Sequence, residues 1–251
     1  ALSGWVQERL DARIASYELA AKFQLSAAEV LDTAGESEEI RKLYGLDENI
    51  TEDFAKLAPA DALKYWNIYS AVWARVGLEQ WNNQQTLTLK DADPFDYAKA
   101  ERVVPESVIS RIEFSVTPQQ KDFGRLDIEF QDAKNTPAIR FSFDSTGNII
   151  TKAGYRDKGL AKYEAGKTYH FIVELNTKTR FYTVSINGSN PNNNLVFAPI
   201  TALHHVSFRT GGVRRFPNAD TPTDQLYDLP NAGEKEKEAV YRLSFFKATK
   251  Q

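Results

Sequence analysis

The sequence predicts a mainly β protein, a two-sheet antiparallel jelly-roll sandwich preceded by a small helical N-terminal segment. Three observations carry this expectation. Beyond Lys64, apolar and polar residues alternate with period two through a succession of short runs. Tight-turn chemistry separates the runs, as at Asp144 to Asn148, Asn176 to Thr179, and Asn187-Gly188. No helical pattern of crossover length lies between them, which argues against a parallel α/β sheet.

The first 65 residues have a different rhythm. Trp5, Leu10, Ile14, Tyr17, Leu19, Ala21 and Phe23 recur every three or four positions, as on one face of a helix. Ser26 with Glu29 forms a capping box, Gly35 can end that helix, and Gly45 can close the next one after 36–44. Thr51, or Asn49 before it, is placed to open a further helical turn. The expected domains are therefore a helical segment over 1–65, capping or linking a neighbour, and a β-sandwich over 66–251. Within the sandwich, strands are expected at 72–79, 86–90, 108–117, 125–131, 138–144, 148–155, 168–175, 180–187, 203–210 and 239–246.

Composition excludes several function classes. A net charge of −3 with 26 % charged residues gives no field of one sign, so nucleic acid and anionic membranes are not expected partners. No apolar run approaches the roughly 20 residues a spanning helix needs. The 251 residues include no cysteine, which removes disulfides, thiolate zinc sites and cysteine nucleophiles. They include no methionine either, and the chain reads as a mature piece of a longer product.

The longest polar connection, 209–233, is the first place to expect a ligand. It gathers Arg209, Arg214, Arg215, Asp220, Asp224, Tyr227 and Asp228 among three prolines that lower the entropy cost of ordering. Arginine forks suit carboxylates, aspartates accept from hydroxyls, and aromatic rings offer an apolar face to a sugar. The same charges can instead satisfy one another in a loop that covers a sheet edge.

Three smaller constellations add candidates. On the run Arg125 to Phe130, Leu126, Ile128 and Phe130 alternate inward, so Arg125, Asp127 and Glu129 share the opposite face. Two carboxylates at i and i+2 lie about 6.6 Å apart at Cα, near the separation used by paired-carboxylate glycosidases; a solvated charge ladder is the plainer reading. His204 and His205, adjacent on a strand, are expected to point to opposite faces and so not to share one metal. With Tyr155 and Arg209 they are the candidates for a lyase-type base and carboxylate neutraliser. Asp91, Asp93 and Asp96 supply three hard oxygen ligands, so a structural calcium is the one cofactor to expect, although the spacing is not that of an EF-hand. An Asx-turn leading into Pro94 uses the same residues.

Several stretches resemble known carbohydrate-active proteins. The Arg125, Asp127, Glu129 strand resembles the Glu-x-Asp-x-Glu strand of jelly-roll β-glucanases, but arginine stands where that family has its nucleophile. Residues 66–73, 96–105, 152–156, 208–211, 220–224 and 228–233 together resemble the C-terminal β-sandwich of secreted bacterial polysaccharide-lyase-like proteins whose main domain is a BNR-type propeller. Residues 163–169 and 185–188 are similar to segments of concanavalin and laminin-G type domains. The resemblance implies an accessory, non-catalytic sandwich, secreted or periplasmic, that binds glycan or packs on an adjoining catalytic domain. Two alternatives remain open: a polysaccharide lyase or glycoside hydrolase acting on a uronic-acid glycan, and a purely structural interaction module.

Overall fold

The computed structural model describes residues 49–94, 96–211 and 234–250. In chain order the elements are β1 (Asn49–Asp53), a single helical turn α1 (Pro59–Ala62), β2 (Trp66–Ser70), β3 (Ala74–Trp81), β4 (Gln84–Asp91) and β5 (Ala98–Ser107). Next come β6 (Ile109–Pro118), β7 (Leu126–Gln131), β8 (Pro137–Phe143), β9 (Asn148–Ala153) and β10 (Arg156–Lys162). The last five are β11 (Tyr169–Asn176), β12 (Phe181–Ile186), β13 (Asn192–Leu195), β14 (Leu203–Thr210) and β15 (Ala239–Lys250). None of the described helices is long and apolar enough to cross a membrane.

All pairings are antiparallel, and they assemble two sheets in a jelly-roll-like sandwich. The seven-stranded sheet runs β10-β9-β8-β7-β14-β5-β2. The eight-stranded sheet runs β13-β12-β11-β6-β15-β4-β3, with β1 also paired to β15. Period-two alternation aims one face of each sheet inward, and aromatic rings fill the space between. Phe114 stacks on Phe171 at 4.7 Å and meets Phe208 edge-on at 5.5 Å; Phe141, Phe130 and Phe143 extend the cluster along the seven-stranded sheet.

The expected turns form as their residues dictate. Asp144 Oδ1 accepts the N–H groups of Thr146 and Asn148, and Gly147 takes the positive φ of 80° that the bend requires. Asn82 and Asn83, with φ of 50° and 61°, make the two-residue β3–β4 hairpin.

Residues 49–53 correct the sequence reading. They form a strand, not a helical turn, because Ile50 and Glu52 alternate inward and the chain pairs with Thr249 through Phe245 on β15. Of the rest of the expected helical segment, 54–65 holds only the single turn α1, and 1–48 lies outside the described residues. Every one of the ten expected strands is present, and the described residues add five more at β1, β2, β5, β10 and β13. Those five lack a clean apolar alternation: β10 is polar or small at a sheet edge apart from Leu160, and β5 carries charges and Pro105.

Strand β1 also supplies a charged bridge inside the sandwich. Glu52 reaches from the eight-stranded sheet and accepts the Trp66 indole N–H at 2.7 Å and Arg102 Nε at 2.9 Å, both from the seven-stranded sheet. Arg102 is 2 % exposed and also donates to the Val103 carbonyl. Removing one partner strands the other charge in a low-dielectric interior. Glu52→Ala is therefore expected to lower unfolding free energy in urea titration by about 3–5 kcal/mol, whereas a loss under about 1 kcal/mol would place the pair in a solvated setting.

Candidate functional site

The inward aromatics of the seven-stranded sheet determine what its outer face presents. Because Val206 and Phe208 point inward on β14, His205, Ser207 and Arg209 point outward; the same alternation turns out Asp127 and Glu129 on β7. Pairing then sets these side chains in rows across five strands. One row runs Tyr69, Lys99, Arg209, Asp127, Ser142. Beside it runs Asn67, Glu101, Ser207, Glu129, Arg140. His205 and Gln131 begin a third.

The first row ends in an aromatic and cationic cluster. The Tyr69 and Tyr97 rings lie 4.9 Å apart, and the Tyr69 hydroxyl donates to Asp96 Oδ2 at 2.9 Å. The Arg209 guanidinium lies 4.0 Å from the Tyr97 ring centroid, while its buried Nε has no hydrogen-bond partner among the described residues. Beside this cluster opens a cavity of about 340 Å³ whose lining includes Asp91, Asp93, Asp96, Arg125, Arg209 and Gly211. The fold thus brings the predicted aspartate cluster and Arg209 to one place. Gly211, at the start of the long loop, lines it too. The loop residues Arg214, Arg215, Asp220, Asp224, Tyr227 and Asp228 lie outside the described residues.

The aspartates act in part on their own backbone. Asp91 Oδ1 accepts the Asp93 N–H at 3.0 Å, Asp93 Oδ1 accepts the Asp96 N–H at 2.9 Å, and Asp96 Oδ1 accepts the Tyr97 N–H at 2.9 Å. This is the Asx-turn reading. Among the described residues no group of three or more acidic, histidine or cysteine side chains is arranged to hold a metal ion. Burial raises the Asp91 pKa above the usual carboxylate value, against the Asp93 N–H and Thr210 hydroxyl that favour the ionised form.

The Arg125, Asp127, Glu129 ladder exists, but of the three only Arg125 is substantially exposed. Asp127 is fully buried, accepting Arg125 Nε at 2.9 Å and the Ser142 hydroxyl at 2.5 Å, and Arg125 Nη2 donates to Ser142 Oγ at 3.0 Å. Glu129 accepts Arg140 Nε at 2.6 Å and the Gln131 amide at 2.7 Å. Each carboxylate is thus engaged by an arginine.

The histidines also depart from the sequence reading. The β14–β5 ladder shifts register between Leu203 and His205, opposite the segment containing Pro105. At that irregularity the Nδ1 atoms of His204 and His205 approach to 3.2 Å, so simple strand alternation fails there. Burial holds the His205 pKa below its ordinary value, helped by His204 and Lys99 and opposed by Glu101. Burial pushes Glu101 up, but the Lys99 ammonium and then His205 outweigh it and hold Glu101 below the usual range. Tyr155 is fully exposed at the β9–β10 turn, three strands or about 14 Å from β14. The structure therefore does not bring it to the histidines, whereas Arg209 shares a face with His205 at about 13 Å along the strand.

Tyr69 and Tyr97 were not foreseen as site residues. Their meeting depends on the β2–β5 pairing, which the sequence pattern does not reveal.

The comparisons with known proteins agree with this fold. The family described as "Sialidase-like, CBM domain" matches residues 66–225, and the chain belongs to that family. A solved structure named "Sialidase" is 39 % identical with a TM-score of 0.73; it covers 81 % of this chain, and this chain spans 18 % of it. The apo Crh5 transglycosylase (11 % identical, TM-score 0.55, covering 82 % of this chain and 85 % of that one) shares the fold. So does the Bacillus licheniformis β-glucanase (9 % identical, TM-score 0.52, covering 82 % and 99 %). No curated protein matches. The chain is thus a carbohydrate-related β-sandwich module, as the resemblance implied, but the match is to a sialidase and gives no support to a propeller-lyase context.

Two pH responses follow. The raised Asp91 pKa means that its favourable contribution is full below the ordinary carboxylate value and is lost as pH rises through the folded one. Asp91→Asn, whose Oδ1 still accepts the Asp93 N–H, should raise the melting temperature at neutral pH, with no gain in acid. The lowered His205 pKa has the opposite consequence: stability is full above the ordinary value of 6.5 and falls as pH drops through the folded value. In His205→Gln the part of acid destabilisation that begins near pH 6.5 should disappear from a series of melts; an unchanged pH profile would contradict the assignment.

Proposed function

We propose that this domain is an accessory, non-catalytic glycan-binding module of a secreted or periplasmic carbohydrate-active protein. The observation that carries the reading is the Tyr69–Tyr97–Arg209 cluster beside the aspartate-lined cavity, which Arg209 also lines. A tyrosine ring offers an apolar face to the C–H groups of a sugar, the Arg209 guanidinium beside Tyr97 offers charged donors, and the aspartates accept from hydroxyls. The family and its sialidase relative support a carbohydrate partner. Because the chain spans 18 % of that sialidase, a catalytic domain elsewhere in a longer polypeptide is part of the proposal. The arginine-bound state of Asp127 and Glu129 favours binding over hydrolysis on this face.

The test is a glycan array probed with the isolated chain and with Tyr97→Ala/Arg209→Ala. The chain should bind at least one oligosaccharide class, and the double variant should bind it more than about tenfold more weakly, the equivalent of 1.4 kcal/mol. Equal binding by the double variant would move the site elsewhere. Ultraviolet-absorbing unsaturated product released from a uronic-acid polymer would overturn the non-catalytic reading.

A further inference from the structure

The eight-stranded sheet ends in β3, and a second cavity of about 540 Å³ opens on its outer face. Residues from β4 (Thr88, Lys90) line it as well as residues from β3, so it lies over the sheet and not beside its open edge. Its floor has a gap. Pairing places Arg75 against Lys90, Gly77 against Thr88 and Glu79 against Thr86, and a Cβ built on Gly77 would meet nothing within 4 Å. Glycine inside a strand weakens it, and marks places where another molecule can approach the backbone.

The walls supply both kinds of contact that a sugar uses. Trp73 contributes a half-buried indole with Lys235 Nζ 5.7 Å from its ring centroid, and Val72 beside it is 73 % exposed. Thr88 is oriented by Arg242 Nη1 at 2.9 Å, and Glu79 is held by Lys90 at 2.5 Å and Arg242 at 3.3 Å. Three cations (Arg75, Lys90, Lys235) stand against three carboxylates (Glu79, Glu236, Glu238), so the lining carries no charge preference. Glu236 lines both cavities, and its N–H donates to the Ala92 carbonyl at 2.9 Å, which fixes the segment that partitions them.

We propose that the Trp73 cavity is a second carbohydrate-binding site, distinct from the Arg209 cluster and selective for an uncharged sugar, whose ring covers the Gly77 gap and packs on the indole. This rests on the same reading of the domain as a glycan binder. A planar aromatic, an open backbone floor, the Lys90–Glu79 ion pair and a lining with equal numbers of cations and carboxylates suit hydroxyl groups better than a carboxylate or phosphate.

Lactose titrated into the isotope-labelled chain tests it, read at the Trp73 indole N–H and the Gly77 amide. Both resonances should shift saturably, and the shifts should persist in Arg209→Ala. Gly77→Val fills the gap with a residue that favours strands and meets no neighbour at Cβ, so it should melt no lower than the parent while binding lactose at least about tenfold more weakly at Trp73. Absence of a lactose shift at Trp73 and Gly77, or undiminished shifts in a folded Gly77→Val variant, would overturn the second site. Array binding lost only in Tyr97→Ala/Arg209→Ala would then leave the first site standing; a Trp73 response with no such array binding would reverse the two.

Discussion

The packing of Phe208 governs what the outer face of the seven-stranded sheet can do. Its ring lies 5.5 Å from Phe114, 6.1 Å from Trp66 and 6.3 Å from Phe246, between both sheets. Burying such a ring removes well over 100 Å² of apolar surface from water, a stabilisation of several kcal/mol. A slip of β14 by one residue would expose that ring and turn Arg209 into the core, so the register is strongly specified. The position of Arg209 over Tyr97 is thus a consequence of hydrophobic burial on the other side of the strand.

The polar rows on the outer face are a second consequence. Asp127, Glu101 and Ser207 are nearly inaccessible although they face away from the core, because adjacent rows pack side chain against side chain. Charges held this way need partners, and arginine or lysine meets each carboxylate: Arg125 for Asp127, Arg140 for Glu129, Lys99 for Glu101. Among the described residues Arg209 departs from this rule, since an aromatic ring and not a carboxylate faces its guanidinium. The ion-paired ladder gives rigidity, and the proposed glycan contact falls on the Arg209 guanidinium beside Tyr97.

The sequence revealed the sandwich wherever alternation was clean, as in β7, β11 and β14, where inward Phe and Val alternate with polar residues. It misled at Asn49 to Asp53, where five residues have no local signature strong enough to distinguish a turn of helix from a strand stabilised by distant β15. The Arg125, Asp127, Glu129 face and the meeting of Asp91, Asp93 and Asp96 were readable because each lies within one local run. Tyr69 and Tyr97 were not, because their contact requires two strands to pair across nearly thirty residues of chain. The His204 and His205 contact escaped for a related reason: it depends on a register shift near Pro105, a tertiary feature of the neighbouring strand.

The account stands most directly on where a glycan touches the protein. Amide shifts mapped while titrating an oligosaccharide selected on the array would locate it. The account predicts the largest shifts at Tyr69, Tyr97, Lys99 and Arg209, in one contiguous patch on the seven-stranded sheet. Shifts confined to exposed residues remote from that patch, such as Phe181 and Leu195 on β12 and β13, would contradict it.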